Sequence, residues 1–235
     1  MKENRFPSFL LVLFSLLIPF AILMGGVRAI MTPAFPAGEY RRAAFPPDPY
    51  GFSTAEREKW AGYAVRYLTN SEDISYLADL QDLHGSPIFN ERELDHMVDV
   101  KRVVRMASFA WYAVLVISAG IVIAALALGA SEGLRKALNR GGWLTIGLMA
   151  GVLIFLAVNF NSLFEQFHRL FFESGTWLFY ANDTLIRLFP MEFWRDAFLL
   201  VLSFTLVVAV IIVSLTRKRK KLSPALPISE HTPGS

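Results

Sequence analysis

With no cysteine in the chain, its four histidines carry most of the chemistry open to it. The absence of cysteine removes disulfides, thiolate metal sites and a thiol nucleophile. His231 falls in a polar tail and His84 precedes a Gly85-Ser86-Pro87 turn, positions that favour solvation. His96 and His168 are placed differently. His96 lies ten residues before an apolar run that starts at Met106, and His168 lies eight residues beyond one that ends at Phe160. At about 1.5 Å of rise per helical residue, both would stand roughly 12–15 Å beyond those runs. They share a side and a height, so the geometry permits a pair. Asp99 follows His96 by three residues on the same helix face, where a carboxylate can orient an imidazole and fix its tautomer. Glu165 precedes His168 by the same spacing. Two interfacial histidines with ordinary hydrogen bonds are the plainer reading of this pattern. A metal-dependent hydrolase built on His84, His96, Asp99 and His168 is another, although no His-Glu-x-x-His motif supports it. Arg28 is the remaining oddity. A cation in an apolar run costs about 2.5–3.5 kcal/mol at the span centre and less toward the edge. It either snorkels to headgroups or contacts an anion or carbonyl in a site.

The elements that must position these residues are membrane spans. The 235 residues are 54% hydrophobic and only 18% charged, against about a quarter charged in soluble domains. Four stretches, 9–30, 106–129, 143–160 and 197–216, are apolar over about the 20 residues that a bilayer-crossing helix needs. They leave segments 1–8, 130–142 and 217–235 on one side and 31–105 and 161–196 on the other. Lysine and arginine cluster on the first side: Lys2 and Arg5, Arg135, Lys136 and Arg140, and the run Arg217-Lys218-Arg219-Lys220-Lys221. The positive-inside rule makes that side the cytoplasm, so both termini are cytoplasmic and the histidine pair faces outward. The basic run reads as a stop-transfer anchor, not as a nucleic-acid site. The first apolar segment is longer than a signal-peptide h-region of about 7–15 residues, and it reads as an uncleaved span.

The expected class is therefore all-α: a polytopic membrane protein with four transmembrane helices and a small extracytoplasmic helical cap. The proline-rich stretch 33–49 reads as an ordered, turn-rich loop without helix or strand. Ser53 with Glu56 forms a capping box that opens a helix ending near Asn70. A short helix over 71–83 follows, with Ile74, Leu77 and Leu80 at helical spacing. Asn90 with Glu93 opens a last helix that runs into the second span. The second external region is aromatic. Phe160, Phe164, Phe167 and Phe171 form one stripe, with Trp177, Phe179 and Tyr180 beyond it, as an interfacial belt would be. Asn182 or Asp183 caps a short helix that stops before Pro190. The segment 222–235 reads as a disordered end.

Four stretches together resemble one family: Phe45-Pro-Pro-Asp-Pro-Tyr-Gly-Phe-Ser53, Leu94-Asp-His-Met-Val-Asp-Val-Lys101, Phe167-His-Arg-Leu-Phe-Phe172 and Asn182-Asp-Thr-Leu-Ile-Arg-Leu-Phe-Pro190. In order and topology they are similar to the bacterial lipoprotein intramolecular transacylases (Lit), over nearly all of 28–196. The resemblance implies transfer of the sn-2 acyl chain of a lipoprotein's diacylglyceryl group to the α-amine of its own N-terminal cysteine. It implies His96 and His168 as the catalytic acid–base pair. It also implies Arg28, Tyr50, Asp99, Lys101, Trp177 and Asp183 as substrate-binding or supporting residues. Its expected partners are a diacylated lipoprotein and membrane phospholipid, with no cofactor, metal or nucleic acid. It sets no oligomeric state. The chain departs from the family pattern at Thr184, where proline is expected, and at Met191, where an acidic residue is common. The rival reading from another class is a non-catalytic four-span scaffold that binds a partner through its cap.

Overall fold

The computed structural model describes residues 6–173 and 175–217; Lys2, Arg5, the basic run past Arg217, His231 and the expected disordered end lie outside them. Eight helices follow in order among the described residues: α1 (Ser8–Ile30), α2 (Ala34–Tyr40), α3 (Thr54–Thr69), α4 (Ser75–Ala78), α5 (Glu91–Ala127), α6 (Ser131–Phe171), α7 (Thr184–Leu188) and α8 (Met191–Thr216). The extended pairing among these residues is one isolated bridge, Gln81 to Pro87. Helices α1, α5, α6 and α8 are each long and apolar enough to cross a membrane, so the chain is a multi-pass, all-helical membrane protein.

The bundle is held by close backbone approach, since lipid supplies no hydrophobic drive between helices. Helix α1 packs on α5, α6 and α8, and α6 packs on α8. Two adjacent glycines set the position of α6. A Cβ at Gly141 would lie 2.9 Å from the Ser15 carbonyl of α1, and one at Gly142 would lie 3.3 Å from the Ala209 carbonyl of α8. Ser15 Oγ also donates across the same crossing to the Ala137 carbonyl at 3.0 Å. Residues 131–142, expected as a loop, are already helical, so the second and third spans are joined by a tight turn around Gly129 (φ 73°).

Above the bundle, α2, α3, the first turns of α5, α7 and the start of α8 close over a core that includes Trp60, Tyr67, Leu77, Phe89, Met97 and Leu188. Both capping boxes form as their sequences require. Ser53 and Glu56 exchange bonds of 2.8 and 3.2 Å, and Asn90 and Glu93 bonds of 2.9 and 3.1 Å. Glu93 does more. It is 1% exposed, and its second oxygen accepts from the Leu185 amide at 2.6 Å, tying α7 to α5.

Three local expectations are corrected. The proline-rich stretch contains a helix, α2. Pro33 is its N-cap and Pro36 sits in its first turn, where the missing amide hydrogen has no intrahelical role. The helix expected over 71–83 is the single turn α4. Asp73 binds the Ser75 amide at 2.9 Å, and Asp82 binds the His84 and Ser86 amides at 2.8 and 2.9 Å. These side chains thus draw the backbone into turns. Asp183 is the N-cap of α7 by backbone position, but its side chain makes no cap bond.

Helix α6 is broken at Asn159, whose φ −158° and ψ 83° are non-helical. The Asn159 side chain accepts from the Ser162 amide at 3.0 Å, which is the bond of an N-cap. The 41 residues of α6 are thus two helical segments, and the second carries the phenylalanine stripe and His168.

Candidate active site

The unbroken α5 and the second segment of α6 bring His96 and His168 together. Their ring centroids lie 6.3 Å apart with planes inclined by 19°, and no hydrogen bond links them. Phe172 stands 5.0 Å from the His96 ring and 5.6 Å from the His168 ring, so it touches both. Phe179 closes over His96 at 5.2 Å, while Phe164 and Trp177 flank His168 at 4.1 and 5.0 Å. The aromatic stripe is thus a wall around two imidazoles as well as an interfacial belt.

Hydrogen bonding distinguishes the two rings. His168 Nδ1 lies 2.8 Å from the Phe164 carbonyl. A carbonyl only accepts, so Nδ1 carries the proton and donates it, and the neutral ring keeps its lone pair on Nε2. His96 is 8% exposed and its Nδ1 has no partner. Trp177 Nε1 is likewise buried without one. Buried donors and acceptors are normally satisfied, so two open polar atoms in one aromatic pocket mark a place for a polar ligand group. Burial, then the neighbouring His168, push His96 down to about 4, against a smaller opposing effect of Asp99. Burial also pushes His168 below its ordinary value, opposed by its Phe164 bond. Both rings are therefore neutral at neutral pH.

The other expected residues are distributed unevenly. Asp99 does not orient His96: its carboxylate accepts from Arg102 at 2.9 Å on an exposed face. Lys101 is buried and tied to Asn70 and to the Glu72 carbonyl at 3.0 and 2.5 Å, with Tyr67 beneath its ammonium. It fastens α5 to the loop after α3. Tyr50 is half exposed, and its carbonyl accepts from Arg187 at 3.3 Å. Asp183 is buried and accepts from the Tyr180 amide, Asn90 and Arg92 at 2.7, 3.0 and 2.7 Å. It holds the loop that carries Trp177 and Phe179 over the histidines. Thr184 donates to the Ile88 carbonyl at 2.6 Å, a bond that proline has no group to make. His84 lies in an exposed turn, and no three His, Asp or Glu side chains converge as metal ligands among the described residues.

Three contributors escaped the sequence reading. The Phe164 carbonyl leaves no trace in residue type. Arg92, which ties Asp183 to α5, looked like any surface cation. Asn159 was legible in principle, as a lone amide side chain at the end of an apolar run.

The lipoprotein intramolecular transacylase Lit family model matches residues 12–194, most of the chain. The chain belongs to the Lit family. Solved structures of the membrane-integral lipoprotein intramolecular transacylase Lit from Bacillus cereus share the architecture. One superposes with a TM-score of 0.71 at 23% identity, covering 90% of this chain and 93% of that one. A second, with one histidine replaced by arginine, gives a TM-score of 0.68 at 25% identity, covering 89% and 90%. A protein of Aquifex aeolicus described as uncharacterized is 30% identical over 206 residues, 87% of this chain and 92% of its own. Family membership makes this chain a lipoprotein-modifying acyltransferase of the membrane and sets aside the non-catalytic scaffold.

Proposed function

We propose that His168 and His96 carry transfer of the sn-2 acyl chain of a lipoprotein's diacylglyceryl group to the α-amine of the same N-terminal cysteine, giving the lyso-form. The observation that supports this reading best is the pair of neutral imidazoles in an aromatic wall, one with Nε2 freed by the Phe164 carbonyl. As the amine nitrogen bonds the ester carbon, its proton passes to His168 Nε2. The oxyanion that forms accepts from the Trp177 indole N–H and from a ring N–H of neutral His96. The ester C–O bond then breaks, and His168 returns its proton to the glycerol oxygen. No enzyme nucleophile is needed. Amine and ester belong to one molecule, so proximity supplies much of the acceleration, and an ester is exchanged for a more stable amide. In the Bacillus cereus structures, two variants replace a single histidine, by arginine and by alanine, which fits a histidine at the centre of the chemistry.

Charge supports a sidedness as well. Arg135, Lys136, Arg140 and Arg217 gather at the end of the bundle opposite the histidines. With that end cytoplasmic, the active site faces outward and both termini face in.

Mass spectrometry of a reporter lipoprotein's N-terminal peptide tests the reaction. Cells making this protein are expected to yield a monoacylglyceryl cysteine with an amide-linked chain. Unchanged diacylglyceryl cysteine at verified expression would refute the reading. The pH profile is a second check. The base, His168, works in its neutral form, and burial lowers it below its ordinary value, so activity is expected to hold below pH 6.5 and to fall only at lower pH. The same shifts bear on stability. The unfolded chain binds the His96 proton more readily, so the stability that His96 contributes is full above about 6.5 and declines as pH falls toward about 4. An activity limb centred at or above the ordinary histidine value would contradict the desolvated pair.

A further inference from the structure

A second polar site lies where the cap meets the bundle. Its groove, about 300 Å³, is lined by Arg28 at the end of α1, Thr69 and Asn70 at the end of α3, and Arg105, Phe109 and Tyr112 on α5. None of these residues makes a ring contact with either histidine. Arg28 is half-buried and has no hydrogen bond or ion pair among the described residues. Arg105 has one long bond, 3.4 Å to the Asn70 carbonyl. Neither arginine has a carboxylate within ion-pair distance among the described residues. Lys101, one turn above, is buried outside the groove; burial and then Arg105 disfavour its charge, while Glu72 and Asp73 favour it. Two arginines facing one groove repel each other, and an anion between them relieves both that repulsion and the unpaired charge of Arg28.

The depth of the groove selects the anion. Arg28 stands in the last turn of its span, and Arg105 immediately precedes the apolar run of α5. Below them Phe109 and Tyr112 are 78% and 53% exposed on a surface that faces lipid. Cations at headgroup level above an aromatic surface fit a phosphate with its acyl chains running down α5. Two unpaired arginines disfavour a headgroup that carries its own cation. We propose that this groove holds the phosphate of an anionic phospholipid. The ligand is distinct from the acyl substrate, because a diacylglyceryl group carries no phosphate, and the proposal stands independently of the histidine mechanism.

Photo-crosslinking tests it on the full chain in nanodiscs of phosphatidylcholine doped with phosphatidylglycerol bearing a photoactivatable acyl chain. Peptide mass spectrometry is expected to place crosslinks at Phe109 and Tyr112. Arg28→Gln or Arg105→Gln should reduce them about fivefold each, and both together about 25-fold. Lys59→Gln, an exposed charge elsewhere on the cap, should leave them unchanged. Should the glutamine variants unfold, the paired Arg28→Lys and Arg105→Lys variant decides, since it keeps the charge and should keep the crosslinks. Equal labelling by photoactivatable phosphatidylcholine, or unchanged labelling in the double glutamine variant, would overturn the site. Loss of labelling on adding inorganic phosphate would assign the groove to a free anion and overturn the lipid.

Discussion

His168→Asn is expected to lose lyso-form product as completely as His168→Ala, by about 10²–10⁴-fold, with the protein still in the membrane. Asparagine keeps an N–H at the place of Nδ1, so the bond to the Phe164 carbonyl, now 2.8 Å, can form again. It has nothing at the place of Nε2. Equal loss in the two variants would assign the defect to proton transfer. Recovery by asparagine alone would reduce His168 to a brace for its own helix. His96→Ala should fall by a comparable factor, since it removes the N–H expected to meet the oxyanion. Retained activity in both alanine variants would end the assignment of this pair.

The second large effect concerns stability, and it explains why two separated sequence motifs occur together. The Asp48 side chain in the proline-rich stretch is fully buried and accepts from Arg187 of α7 at 2.8 and 3.1 Å, and from the Phe52 amide at 2.7 Å. The Arg187 guanidinium lies 3.5 Å from the Phe52 ring centroid. Asp48→Ala strands this cation in a nearly closed place, and breaking one side of a buried pair costs about 3–5 kcal/mol. Thermal unfolding in detergent should show a correspondingly lowered midpoint. Adding Arg187→Leu should restore much of it, because apolar replacement of both partners is often near neutral. An Asp48→Ala variant that melts with the parent would mean that the clamp carries no stability.

The large features were legible because each rests on a repeated signal. Apolar runs of span length, two capping boxes and an aromatic stripe at helical spacing all became structure, and the apolar runs placed the two histidines at one height. What failed was local competition. Asp99 had the spacing to serve His96, yet Arg102 stands at the same three-residue spacing and binds it instead. Asp73 and Asp82 bent a helical pattern into turns by bonding nearby amides. Pro36 passed for a helix breaker because its place in the first turn depends on where the helix begins. Within the site, the tautomer of His168 depends on a carbonyl, and a carbonyl belongs to every residue alike.

The break at Asn159 gives the two histidines unequal mechanical supports. His96 rides on an unbroken helix of 37 residues, whereas His168 sits on a short arm beyond a pivot. A bilayer that changes thickness alters helix tilt. A rod protruding about 15 Å and tilting by about 10° carries its tip through about 2–3 Å. That displacement would reach His96 undiminished, while a bend at the break would absorb part of it before His168. The spacing of the two rings is thus expected to change with the thickness of the membrane around them.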